Sequence, residues 1–515
     1  MRFRSPNILI LMADQLTAGI LRTYGNRVSK TPHIDALASN GVVFNSAYCN
    51  SPLCAPSRAV FMTGRLPSIT GVYDNAAEFA SQSPTFAHYL RHTGYRTILA
   101  GKMHFCGPDQ LHGFEERLTT DIYPADYNWT PDWTRFDHRP EWYHNMDSVS
   151  QAGPCARTNQ LDFDEEVAAA ARQRLFDLAR LQKHQTRPFC LVVSFTHPHD
   201  PFTIHEPYWN RYTDDEIDMP QVSQPALDAH SQRIRHVVGM NIQPVTTVQI
   251  HAARRAYYGA VSYIDDQLGA LQQTLNDTKL ADNTIIILLS DHGEMLGEHG
   301  LWYKMSFFEG ASRIPMIVHC PQYFRPRRVQ QPVSLADVLP TLVELAGNGQ
   351  PTTEYITPID GHSLLSHLSG TNDDSNNETA VKGEYLAEGA IAPIVMLRRN
   401  RFKFIHSPVD TDQLFDLEND PNETHNIADE QNDLVSDFRS EIYHHWGDLQ
   451  LLHEQVLASQ RRRRFVAKAL ATGTHNAWDW QPVRDARNMY VRSHMPLDDI
   501  EAMARFPPVP KSTNK

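Results

Sequence analysis

Cysteine is sparse in this chain. Across 515 residues there are six, Cys49, Cys54, Cys106, Cys155, Cys190 and Cys320, irregularly spaced and never as C-x-x-C. That spacing speaks against a disulfide framework and against a cysteine-based zinc site, and a reducing, cytoplasmic setting is the corresponding expectation. Long apolar runs are lacking too. The run Ile8-Leu9-Ile10-Leu11-Met12 is too short for a signal peptide or a membrane span and reads as a first buried strand. Nor is there a surplus of positive charge: 47 Lys+Arg stand against 60 Asp+Glu, a formal net charge of −13, which gives no support to a nucleic-acid or anionic-membrane partner. The one basic run, Arg461 to Arg464, is read as capping or flanking a helix end. What remains is an ordinary globular composition, 41% hydrophobic and 21% charged, in a chain long enough for about two to three domains.

Short apolar strands alternate with helical patterns, which predicts an α/β domain with a mainly parallel sheet. The candidate strands are Asn7 to Met12, Arg96 to Ala100, Phe189 to Thr196, Thr284 to Ser290 and Met316 to His319. Helical patterns begin at Thr31-Pro32 and cover Asp164 to Gln182, Ala252 to Leu275 and Leu335 to Ala346. Polar residues suited to catalysis follow four of the strands: Asp14, Lys102 with His104, His197 with His199, and Asp291 with His292. In open α/β sheets ligands bind outside the carboxyl ends of the strands, so these groups are expected at one edge. The polar stretch Ser369 to Asn377 reads as a surface loop or boundary. It divides a catalytic unit, 1–375, from a smaller α+β unit, 376–470, whose end is a single long helical pattern from Leu434 to Leu470. The last segment, 471–515, is too aromatic for a free tail and is expected to pack on its own body or on a neighbouring subunit.

Cys54-Ala55-Pro56-Ser57-Arg58 joins a thiol, a proline suited to the first position of a helix, and a positive charge four residues on. This places Cys54 near a helix N-terminus with Arg58 one turn later, a setting that attracts anions. Asp14, Asp291 and His292 are metal candidates, since a hard divalent cation takes oxygen donors and two strand-end carboxylates provide them.

The Cys54 pentapeptide, and the block from Ser290-Asp291-His292-Gly293-Glu294 to Trp302-Tyr303-Lys304, resemble the two signature blocks of the formylglycine-dependent sulfatases. That resemblance implies an alkaline-phosphatase-like α/β fold. It also implies oxidation of Cys54 to formylglycine by a formylglycine-generating enzyme, and a metal held by Asp14, Cys54, Asp291 and His292. Calcium is the ion implied, with magnesium or manganese as alternatives. Lys102 and His104 match the family's lysine–histidine pair. His199, between Pro198 and Pro201, matches the histidine of the related hydrolases better than His197 does, and Lys304 adds a second cationic contact. Arg58, Lys102, His104, His199 and Lys304 are thereby the expected catalytic partners of Cys54. One departure is Ala13-Asp14-Gln15, where many members carry two adjacent aspartates. It is closer to the branch of choline sulfatases and phosphonate monoester hydrolases and makes Gln15 a neutral neighbour.

The aromatic, acidic stretch Tyr123 to Trp133, with Trp142-Tyr143-His144-Asn145 after it, suits a quaternary ammonium ion. The segment from Trp478 to Asp499 resembles the C-terminal extension of choline sulfatases, in which the tail crosses an oligomer interface. Carried over, the ligand cage is Trp129, His144 and Asn145, with Glu384 and Asp498 supplying negative charge and Glu388 and Asp499 as neighbours that compete for those roles. The expected activity is hydrolysis of choline-O-sulfate by a sulfuric ester hydrolase that is a homodimer or homotetramer. A broader alkyl or aryl sulfatase, a phosphonate monoester or phosphodiester hydrolase, and a non-catalytic ligand-binding relative are the alternatives.

Overall fold

The computed structural model describes residues 5–139, 144–181, 187–347, 349, 354–371, 380–474, 478 and 480–482. Its main sheet has eight strands: β1 (Asn7–Asp14), β2 (Val42–Phe44), β3 (Arg96–Gly101), β4 (Glu116–Arg117), β5 (Phe189–Pro198), β6 (Thr284–Ser290), β7 (Met316–His319) and β8 (Arg327–Val329). They lie side by side in the order β8-β2-β7-β6-β1-β5-β3-β4, and all neighbours are parallel except those of β7. The α/β expectation is therefore met, as is the placing of the five candidate strands.

Both faces of this sheet are covered, and β1 shows why its sequence is apolar throughout. Side chains of a strand alternate between faces. Leu9, Leu11 and Ala13 enter one core with Val167 and Leu268, whereas Ile8, Ile10 and Met12 enter a second core with Phe61 and Leu339. The helices that supply these layers are α1 (Pro32–Ser39), α2 (Cys54–Thr63), α3 (Asn159–Leu181), α4 (Thr247–Asp277) and α5 (Val338–Ala346). A strand buried on both sides has no polar alternation to show.

A second, antiparallel sheet follows: β9 (Val381–Tyr385), β10 (Ile394–Arg399), β11 (Phe402–His406) and β12 (Gln413–Asp416). Its Val395, Leu397 and Phe404 belong to the same contiguous core as Leu9 and Leu11, so the smaller sheet is joined to the larger by apolar packing. The helical pattern from Leu434 to Leu470 is two helices, α6 (Asn432–Trp446) and α7 (Leu449–Leu470), and not one. Gly447 ends α6 at φ 66°, a backbone state that glycine enters without a steric penalty, and the Asp448 side chain caps α7 by accepting from the Gln450 amide. The basic run is also corrected. Arg461 to Arg464 lies inside α7, where Arg463 forms a two-pronged ion pair with the buried Asp74 and Arg464 pairs with Asp132. Among the described residues no helix is long and apolar enough to cross a membrane.

Candidate active site

β6, β1, β5 and β3 are consecutive parallel neighbours, so their carboxyl ends form one edge. Asp291-His292, Asp14, His197 to His199 and Lys102 to His104 all stand there. Register along β1 and β5 slips between Ala13 and Asp14, just where the strand turns from core to site. Two glycines let the backbones close in. Gly101 has φ +103°, and a Cβ on it would stand 1.9 Å from the Ser194 carbonyl oxygen; one on Gly293 would stand 2.1 Å from that of Gly310.

α2 carries the thiol to this edge. It begins at Cys54, so Pro56 is its third residue and not its first, a place where the missing N–H still costs no intrahelical bond. The Ala55 amide donates to Asn75 Oδ1 (2.9 Å), and Ser57 Oγ donates to the Asp291 carbonyl (2.5 Å), tying the helix start to the end of β6. Arg58, one turn on, sends Nε to Asp291 Oδ2 (2.8 Å) and Nη1 to Ser194 Oγ (2.9 Å) and the Lys102 carbonyl (2.5 Å), with Nη2 3.6 Å from Asp14 Oδ2. Arg58 thus clamps the two carboxylates.

Asp14, Cys54, Asp291 and His292 offer ligand atoms that all lie within 4.8 Å of one another, and all four are buried. Cys54 Sγ is 3.2 Å from His292 Nε2, 4.0 Å from Asp14 Oδ1 and 3.9 Å from Lys102 Nζ. Lys102 also forms an ion pair with Asp14. Burial pushes the Cys54 thiol up, but Lys102, Lys304 and His292, with a hydrogen bond from His104, hold it well below the ordinary thiol range. Burial likewise raises Asp14, and Lys102 with His199 and Arg58 brings it down to about 2. Two buried carboxylates, an imidazole and position 54 form a donor set that fits a divalent cation.

Across the site, Lys304 Nζ lies 2.9 Å from His199 Nε2 and donates to Gln15 Oε1 (2.5 Å). His199 Nδ1 faces the Asp200 carbonyl at 2.6 Å, which leaves Nε2 directed at Lys304. His197 is held elsewhere, with Nδ1 2.7 Å from Asp164 Oδ2 and its ring against Tyr263. Of the two histidines left open by the sequence, the geometry brings in His199. His104 is fixed through its amide to Asp121 Oδ2 and through Nε2 to the Asn75 carbonyl.

Trp129 packs edge-on against His104, with ring centroids 5.9 Å apart, and His144 stacks on Tyr303 (4.5 Å) with its ring centroid 5.9 Å from that of His199. The Asn145 carbonyl accepts from the Tyr303 hydroxyl, and its Oδ1 accepts from the Asp147 amide. Glu384 does not supply a free charge. Both its oxygens are engaged, by the Ser68 amide and hydroxyl and by Trp446 Nε1. Glu388 differs: it is buried, its Oε2 has no hydrogen-bond partner among the described residues, and the charges of Lys304 and Cys54 act on it. Asp498 and Asp499 lie outside the described residues. Sequence reasoning had not assigned Tyr123, whose ring sits 5.0 Å from Lys102 Nζ, nor Asp200 and Glu294, both of which accept from Gln15 Nε2. Asp200 lay beside His199 in the sequence, which was the available signal.

Comparison with known proteins gives the family and the fold. The sulfatase family model matches residues 6–348, and the model described as choline sulfatase enzyme C terminal matches 454–506. A choline-sulfatase of Rhizobium meliloti is 45% identical over 98% of both chains, and human iduronate 2-sulfatase is 28% identical over 70% of this chain and 74% of its own. The fold is shared with the crystal structure of a phosphonate monoester hydrolase of Agrobacterium radiobacter (TM-score 0.66, 24% identity, 87% of this chain and 96% of that one). The chain belongs to the sulfatase family.

Proposed function

We propose that this enzyme hydrolyses choline-O-sulfate to choline and sulfate. The observation that carries the reading is Glu388, a buried carboxylate with an oxygen that no described residue engages, in electrostatic reach of Lys304 and Cys54. An anionic ester needs cations around its sulfate, while a cationic alcohol needs a carboxylate and aromatic faces at the other end. Trp129, Tyr123 and His144 supply the rings, and Glu388 takes the role first considered for Glu384. Asp498, with Asp499 as its neighbour, is the candidate second carboxylate, contributed across a homodimer or homotetramer built through 471–515. Calcium as the ion, a formylglycine-generating enzyme as maturation partner and a cytoplasmic location complete the proposal.

Conversion of Cys54 to formylglycine exchanges sulfur for oxygen and provides, as the aldehyde hydrate, one hydroxyl to attack sulfur and a second whose deprotonation releases sulfate. Asp14, Asp291, His292 and position 54 would hold a divalent cation, which would supply Lewis acidity to the sulfate oxygens. Arg58 keeps the two carboxylates in place, and Lys102 and Lys304 add positive charge beside position 54. The Lys304 ammonium, which donates to His199 Nε2 and is held in place by that imidazole, gives a proton to the departing choline oxygen as the S–O bond breaks. His104 accepts the proton of the remaining hydroxyl.

The test compares choline-O-sulfate with its uncharged carbon isostere, 3,3-dimethylbutyl sulfate, beside an aryl sulfate and a phenyl phosphonate ester. The wild type is expected to favour choline-O-sulfate by roughly 10²-fold or more in kcat/KM, and Glu388→Gln to erase most of that preference while sparing the isostere. Equal handling of the two alkyl esters by the wild type would remove the quaternary ammonium from the account.

pH supplies a second check. Burial, reinforced by Asp74, pushes Glu388 up to about 8. Its ionised form pairs with the ammonium, so the ratio of kcat/KM between choline-O-sulfate and the isostere rises as pH passes upward through about 8 and then levels. In Glu388→Gln the ratio is flat. A flat ratio in the wild type from pH 6 to 9 would contradict the assignment.

A further inference from the structure

Gln15 stands where many sulfatases carry a second aspartate, and each of its polar atoms is engaged. Its amide donates to Asp291 Oδ1 (3.0 Å), its carbonyl accepts from Tyr257 Oη (2.6 Å), and its side-chain oxygen accepts from Lys304 Nζ (2.5 Å). Its Nε2 donates to Glu294 Oε2 (2.5 Å) and Asp200 Oδ1 (3.3 Å). Two carboxylates on the nitrogen side and an ammonium on the oxygen side fix the carboxamide in one orientation, because turning it over would set NH2 against NH3⁺ and C=O against COO⁻. Backbone geometry adds to this. Gln15 has φ 65°, a conformation that residues with side chains adopt seldom and that persists where the surroundings over-determine it.

Glu294 is built for the same task. It is buried, and its Oε1 accepts the amides of Leu296 (2.9 Å) and Tyr303 (2.7 Å), which leaves Oε2 for Gln15. The carboxylate is thus held by the backbone of the loop that also carries Lys304, and its hydrogen-bonded link to the Lys304 ammonium runs through the Gln15 carboxamide. Neither residue has a step in the reaction described above.

We propose that Gln15 and Glu294 are positioning residues for leaving-group protonation: Glu294 fixes the Gln15 carboxamide, whose oxygen holds the Lys304 ammonium against His199 Nε2. Lysine has a long, flexible side chain with three equivalent donors, so its use as a partner of one imidazole nitrogen requires an external anchor. With that anchor in place, the ammonium donates one N–H to Gln15 Oε1 and one to His199 Nε2, 2.9 Å away, and keeps its third for the departing alkoxide. The hydrogen bonds of the carboxamide go to Lys304, Glu294 and Asp200 and, among the described residues, to none of Asp14, Cys54, Asp291 and His292.

This inference rests on the reading of the reaction given above, and the experiment keeps the two apart. Gln15→Met and Glu294→Gln are prepared as the converted, metal-loaded enzyme. For each, kcat and KM are measured on choline-O-sulfate, whose alcohol leaves poorly without a proton, and on 4-nitrophenyl sulfate, whose phenolate leaves without one; metal per chain is measured alongside. Gln15→Met is expected to lower kcat on choline-O-sulfate by roughly 30- to 100-fold with KM within about twofold, and to lower kcat on the nitrophenyl ester by less than about threefold. Metal content should be unchanged. Equal losses on both esters would overturn the proposal, as would a fall in bound metal, which would make Gln15 a ligand.

Glu294→Gln guards against a folding failure of the first variant. It keeps an oxygen for the Leu296 and Tyr303 amides while setting an NH2 against that of Gln15, and it is expected to reproduce the same substrate-dependent loss at smaller size. The substrate reading is judged on the wild type alone, whereas positioning is judged on variant-to-wild-type ratios. Should the wild type prefer another sulfate ester, an alkyl and a nitrophenyl sulfate test the positioning in the same way.

Discussion

Cys54→Ala lowers kcat/KM for choline-O-sulfate by roughly 10⁴- to 10⁶-fold while leaving substrate binding nearly intact. The size follows from the role: alanine can be neither thiol nor aldehyde, so no hydroxyl stands opposite the ester sulfur. Most of the binding survives because Lys102, Lys304, the other three metal-binding candidates Asp14, Asp291 and His292, and the residues on the choline side are untouched. Structure survives as well, since the contacts that tie α2 down come from Ala55, Ser57 and Arg58. Kinetics and equilibrium dialysis with choline-O-sulfate separate the two terms. Residual turnover above about one part in 10³ of wild type would mean that another group attacks sulfur.

Arg463→Ala destabilises the chain by about 3–5 kcal/mol, read as a lower urea midpoint of the first unfolding transition. Arg463 places two guanidinium nitrogens 2.6 and 2.7 Å from the Asp74 oxygens, and Asp74 has no solvent exposure. Removing the arginine leaves a carboxylate buried without its counter-charge, a far larger penalty than losing an exposed pair such as Arg157 with Glu165. The Arg463→Ala, Asp74→Ala double variant should recover part of the loss, since it removes the stranded charge. A cost below about 1 kcal/mol for the single variant would show that α7 is not pinned to the catalytic unit through this pair.

The contrast between these two residues shows what the sequence made legible. Cys54, Asp14, Lys102, His104, His199, Asp291 and His292 could be named because each sits in a short motif directly after a strand or at a helix start, whereas Lys304, well beyond the end of β6, could be named only from the block that resembles the sulfatases. Four parallel strands then bring such ends to one edge whatever the intervening chain does. Arg463 and Asp74 are 389 positions apart, and nothing local marks either. Gly447 offered a local signal that the apolar period on both sides masked, so two helices read as one. Glu384 and Glu388 differ by four residues and by nothing in chemistry. Only the positions of Ser68 and Trp446 reveal that one carboxylate is already engaged, while the other keeps an oxygen without a partner among the described residues. The bridge from Glu294 through Gln15 to Lys304 was hidden for the same reason, since a carboxamide has meaning only with its partners known.

The measurement that bears most directly on the account follows the mass of the peptide containing residue 54 across preparations with different degrees of maturation. The mass records the exchange of sulfur for oxygen, and each preparation is assayed for sulfate release from choline-O-sulfate. The account predicts activity proportional to the converted fraction, with an intercept of zero. Full activity in a preparation whose Cys54 is still a thiol would contradict it.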